Sequence, residues 1–75
     1  MAYIVYFRGG NLLKRINKLP INIAYVSKKM SYLVFYGDLK QEKSYLNQIK
    51  NIKGFLKLEQ SKAYNEELNY SVENN

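Results

Sequence analysis

The side chains that most often do chemistry are missing from this chain: it has no histidine and no cysteine. The common nucleophile–base pairs and most transition-metal sites are thereby excluded, so no catalytic, cofactor-binding or metal-ligating set is expected. Three carboxylates stand among residues 1–62, and each has a structural reason to be there. Asp38 sits where a helix cap is needed, Glu42 in a first turn where the helix dipole favours an acid, and Glu59 on a strand surface. One arrangement retains chemical potential, Arg8-Gly9-Gly10-Asn11. As a strand-to-helix loop it offers free backbone N–H groups to a phosphate, with the Arg8 guanidinium beside them. The simpler reading is a plain turn that needs glycine for a positive φ. A phosphate-handling enzyme built on Arg8, Gly9 and Gly10 is a remote alternative that rests on fold analogy alone.

The elements that would position these groups are marked by punctuation residues. Ala2 to Arg8 is apolar on both faces, as a central strand covered on both sides would be. Gly9-Gly10 breaks it, Asn11 is a candidate N-cap, and a helix over Leu12 to Leu19 places Leu12, Leu13, Ile16 and Leu19 on one side. Lys14, Arg15 and Lys18 fall opposite. Pro20 stops the helix and launches a hairpin, with arms Ile21 to Val26 and Ser31 to Tyr36 about a polar tip, Ser27-Lys28-Lys29-Met30. Asp38-Leu39-Lys40-Gln41 has capping-box spacing and opens a second helix with Tyr45, Leu46, Ile49 and Ile52 inward. Gly54 releases the chain into Phe55 to Glu59, which alternates like a half-buried strand.

Residues 63–75 read two ways. Leu68, Tyr70 and Val72 alternate with polar neighbours and suit a fifth, edge strand paired to the fourth, whereas Ala63 to Leu68 would also suit a helical turn; the strand is preferred. The element order is strand, helix, strand, strand, helix, strand. Right-handed crossovers then put the first and third strands in the middle of an antiparallel sheet with both helices on one face. The expected fold is α+β, a ferredoxin-like βαββαβ sandwich with an extra C-terminal strand, forming one domain over residues 1–75.

If Leu56 and Leu58 face the helices, Leu33 and Phe35, Ala24 and Val26, and Ile4 and Tyr6 join them. The other face then shows Tyr3, Val5, Phe7, Ile23, Tyr25, Tyr32, Val34, Tyr36, Phe55 and Lys57, far more aromatic than a solvated sheet face. A second copy or a protein partner would bury such a surface. The alternative is single-stranded RNA, with bases stacked on Tyr3 and Tyr32 or Tyr36 and phosphates held by Arg8, Lys28, Lys29 and Lys57. Met30 to Tyr36 lacks the basic-Gly-aromatic-Gly opening of an RNA-recognition motif, which places RNA second. Cover by the chain's own C-terminal residues is a third reading.

The charge is divided: twelve Lys and Arg against Asp38, Glu42 and Glu59 give +9 over residues 1–62, and Glu66, Glu67 and Glu73 give −3 over residues 63–75. A basic body with an acidic end suits an anionic partner, a masking tail, or simple solubility. Size limits the core, since a chain of 75 residues buries only about 60% of its unfolded surface and no cysteine staples it. No apolar run approaches the roughly 20 residues of a membrane span, and Met1 to Phe7 has no basic n-region, so no membrane association and a cytoplasmic location are expected.

Two blocks, Ile23-Ala24-Tyr25-Val26-Ser27-Lys28-Lys29 and Tyr32-Leu33-Val34-Phe35-Tyr36-Gly37-Asp38, resemble the central region of the YlbG-like family of short bacterial cytoplasmic proteins of unknown function. Phe55 to Ser61 resembles that family's fourth strand, and Glu67 to Glu73 falls at its last one. The resemblance implies the fold type and a cytoplasmic location, and it brings no catalytic residue or cofactor. It draws attention to Tyr25, Ser27, Lys28, Lys29, Tyr32, Tyr36 and Asp38 as a shared surface. Tyr25 and Tyr36 read equally well as a cross-strand aromatic pair, and Ser27 to Lys29 as a hairpin shoulder. The expected function is a non-enzymatic interaction module acting through self-association or a protein partner.

Overall fold

The computed structural model describes residues 1–61. The elements are β1 (Ala2–Phe7), α1 (Asn11–Ile16), β2 (Asn22–Ser27), β3 (Tyr32–Tyr36), a single 3₁₀ turn (Leu39–Gln41), α2 (Glu42–Ile49) and β4 (Phe55–Gln60). The four strands form one antiparallel sheet in the order β2-β3-β1-β4. This is the βαββαβ arrangement expected from the ferredoxin-like pattern, with β1 and β3 central. The extra strand expected within residues 63–75 lies outside the described residues.

The punctuation residues act as their chemistry requires, with shifts of a few positions. Helix α1 ends at Ile16 rather than Leu19, because Lys18 and Leu19 donate backbone bonds three residues back, to Arg15 and Ile16. Pro20 disfavours helical geometry at Leu19 and so tightens that last turn. Gly10, not Asn11, occupies the cap position of α1. Asn11 is the first helical residue, and its side-chain amide reaches the Lys53 carbonyl at only 3.5 Å. Asp38 does cap the second helical segment, accepting from the Lys40 N–H at 3.0 Å. The reciprocal bond of a capping box is replaced: the Asp38 N–H donates to the Tyr45 hydroxyl at 2.8 Å. Gly54, at φ +99°, brings its backbone against β1, where its carbonyl accepts from the Arg8 N–H at 2.7 Å.

The core lies between the sheet and the helices and is built from Tyr3, Val5 and Phe7 of β1, Leu33 and Phe35 of β3, Leu12 and Ile16 of α1, and Ile49 of α2. This corrects the assignment of faces. β1 turns Tyr3, Val5 and Phe7 toward the helices, so Ile4 and Tyr6 face away, the reverse of the expectation. With apolar residues on both sides of β1, periodicity carries no information about which side is which. Leu33 and Phe35 face the helices as expected.

Both edge strands contain an extra residue that shifts parity midway. In β2, Ile23 pairs with Phe35 and Tyr25 with Val34, leaving Ala24 unpaired between them. Ile23 and Val26 therefore share the helix side, and Ala24 does not belong to the inward set. In β4 the register slips between Lys57 and Phe55, so Phe55 and Leu58 face the helices and Leu56 is turned out, 55% exposed. Tyr45 of α2 and Ile52 just beyond its end pack on the core, but Leu46 of α2 points outward.

Candidate interaction surface

Pairing and parity place Ala2, Ile4 and Tyr6, Tyr25 and Ser27, Tyr32, Val34 and Tyr36, and Lys57 and Glu59 on the helix-free face. Ala2 and Val34 are fully buried there, and exposure is concentrated in Tyr25 and Tyr36, each about half exposed. The tyrosines form a run across three strands. Tyr6 and Tyr32, opposite each other in register, have ring centroids 6.3 Å apart, and Tyr32 and Tyr25 are separated by 5.9 Å. These tilted contacts fall within the 4.5–7 Å range in which aromatic pairs attract.

Tyr3, assigned to this surface from the sequence, is not part of it. Its ring is fully buried on the helix side, stacked on Phe35 at 5.2 Å and edge-on to Tyr45 at 5.8 Å. Its hydroxyl is buried without a hydrogen-bond partner, and burial, reinforced by the Glu42 carboxylate, pushes its pKa up to about 12. Tyr6 takes its place on the helix-free face. What separates the two is the β1 register against β3 in the structure, which pairs Tyr6 with Tyr32 and Tyr3 with Phe35 and which the sequence does not mark.

One acid organises the β4 side of this face. Glu59 accepts from the Tyr6 hydroxyl at 3.0 Å and pairs with the Lys57 ammonium at 3.0 Å. The Lys57 and Tyr6 hydrogen bonds hold the Glu59 carboxyl below its ordinary range, and the same bonds push the Lys57 ammonium and the Tyr6 hydroxyl up. Among the described residues Lys57 and Glu59 are the face's two charges, and they cancel.

The remaining expected residues sit at one end of the sheet. Ser27 closes the hairpin, its hydroxyl accepting from the Met30 N–H at 3.1 Å, and Lys28 and Lys29 are exposed at the tip. Ser31, at φ +60°, returns the chain to β3, and its carbonyl accepts from the Phe7 N–H at 3.1 Å. Gly9 has φ +78°, which accounts for a glycine there by the turn alone. Arg8 is exposed beside it. The hairpin tip, the end of β1, the start of α1 and the Lys53-Gly54 loop are tied together here. This end is cationic, whereas Asp38 and Glu42 lie at the other, near Met1 and Gln60.

Residues 1–70 match the model of the DUF2129 family, described as uncharacterised proteins conserved in bacteria. The chain belongs to that family. No curated protein and no solved structure gave a significant match. The family assignment agrees with the expectation of an uncharacterised bacterial group, and DUF2129 has no assigned activity. Among the described residues of this DUF2129 protein, no helix is long and apolar enough to cross a membrane.

Proposed function

We propose that this protein is a non-enzymatic, cytoplasmic interaction module that self-associates through the tyrosine face of its sheet. The observation that carries the reading is the continuous Tyr6–Tyr32–Tyr25 run, flanked by the half-exposed Tyr36. Tyrosine supplies large contact area at the entropic cost of only two side-chain torsions, and its hydroxyl remains satisfied at a wet margin. A second copy suits this face because its charges are balanced. Lys57 and Glu59 neutralise each other within each copy, so two such faces meet without net charge repulsion. A domain this small also gains from covering its sheet, since its own core is limited.

Single-stranded RNA fits the same face less well. Phosphates need uncommitted cations around the stacking platform, and the face's lysine, Lys57, is already paired with Glu59. Sedimentation equilibrium over a range from about 10 µM to 1 mM separates the two readings. Self-association gives a mass rising toward twice that of the monomer, unchanged or strengthened by added salt, and lost in Tyr25→Ser/Tyr36→Ser. A monomer throughout, with RNA binding that weakens steeply with salt, would replace this reading with the second.

A further inference from the structure

On the helix side, between α1 and the hairpin, lies a cleft of about 650 Å³. Its origin is geometric. Helix α1 has six residues and rises only about 9 Å; Leu12 and Ile16 pack with the β1 and β3 side chains of the core, while the helix side of β2 at Val26 is left partly open. Val26 pairs with the fully buried Leu33 yet keeps 37% of its surface exposed. The other wall is a second stripe along α1 and its two caps, Gly10, Leu13, Lys14 and Asn17, spaced i, i+3, i+4 and i+7. The core stripe, Leu12 and Ile16, is distinct from it.

We propose that this cleft binds a small organic anion, a carboxylate or phosphate group joined to a compact apolar body. Its volume lies in the 300–1,000 Å³ range of small-molecule sites. Phe7, Leu13 and Val26 supply an apolar lining for the body, and Lys14 from the helix and Lys28 from the hairpin supply the cations for the head. Among the described residues no carboxylate lines it: Asp38 and Glu42 sit at the opposite end of the sheet and Glu59 on the opposite face. An anion there meets positive charge from two elements. The glycines 9 and 10 border the cleft, and a Cβ on either would meet nothing within 4 Å, so the mouth is open. Arg8, the cation of the remote phosphate-loop alternative weighed from the sequence, does not line it; the cations here are two lysines, one on the helix and one on the hairpin tip.

The experiment is an amide NMR titration of the full chain with phenyl phosphate, octanoate and inorganic phosphate in separate arms. Saturable shifts at Gly9, Gly10, Lys14 and Lys28 with at least one of the two amphiphiles are expected, and the tighter arm tells phosphate from carboxylate. Inorganic phosphate should bind at least roughly tenfold more weakly, because it leaves the apolar lining unused. Lys14→Gln/Lys28→Gln should lower the amphiphile affinity by roughly tenfold with the rest of the spectrum unchanged. Val26→Ser should weaken the amphiphiles and leave inorganic phosphate as it was. Absence of saturable shifts up to about 10 mM, equal affinity for inorganic phosphate, or indifference to the lysine replacements would overturn the assignment.

Discussion

Replacing Tyr3 by Phe should stabilise this protein, although it removes a polar group from one of its most buried side chains. The Tyr3 ring is held between Phe35 and Tyr45, contacts that Phe retains. Its hydroxyl makes no well-formed hydrogen bond: the Glu42 carboxylate lies near enough to raise its pKa but is engaged by the Gln60 side-chain amide at 2.7 Å. Burying an unpaired hydroxyl costs about 1–3 kcal/mol, and deleting it leaves a small void that takes back part of the gain. The net expectation for Tyr3→Phe is about +1 kcal/mol, or a midpoint rise of about 4–8 °C for a domain of this size.

The same group makes stability depend on pH in a definite direction. The folded pKa is pushed up to about 12 from an ordinary 10.0. Between those values the native state keeps a proton that the unfolded chain releases, so stability falls as pH rises above about 10. The loss assignable to Tyr3 is at most roughly 2–3 kcal/mol above both values and about half of that near pH 11. Urea unfolding of wild type and Tyr3→Phe in parallel, near neutrality and near pH 11, reads both effects. The variant should be more stable at neutral pH and should lose less on going alkaline. A Tyr3→Phe protein less stable than wild type by more than about 0.5 kcal/mol would refute the reasoning, since its hydroxyl would then be making a bond that matters.

Three further substitutions test how the helices are fixed to the sheet. Gly54→Ala should destabilise by about 3 kcal/mol, because φ +99° is strained for alanine and its Cβ would overlap the Arg8 carbonyl oxygen; Gly10→Ala, with open space around it, should change stability by less than about 0.5 kcal/mol in the same urea assay. Tyr45→Phe should cost about 0.5–1 kcal/mol by removing the acceptor for the Asp38 N–H, with loss of protection at that amide in hydrogen exchange as its local signature.

The topology was legible because local signals agree: Pro20 and Gly54 interrupt, Asp38 caps, and the β-branched and aromatic arms of the hairpin leave little competition. The faces were not. A strand that is apolar on both sides hides its orientation, and the unpaired Ala24 and Leu56 reverse parity in the two edge strands without any mark in composition. That is why Tyr25, Tyr32, Tyr36 and Lys57 were placed correctly while Tyr3 stood in for Tyr6. The Glu59 bridge depended on the same register, and Glu59 read from sequence as an ordinary surface acid. The cleft was invisible for another reason: it exists because α1 is too short to cover β2, a relation between two elements rather than a property of either.

The central claim, that the tyrosine face meets a second copy, is tested most directly by isotope-filtered nuclear Overhauser measurements on an equal mixture of labelled and unlabelled protein. Intermolecular contacts confined to the rings of Tyr6, Tyr25 and Tyr36 are predicted, disappearing in Tyr25→Ser/Tyr36→Ser. A dimer whose intermolecular contacts lie on the helix side or along the β2 edge, or a concentrated sample with none, would contradict it.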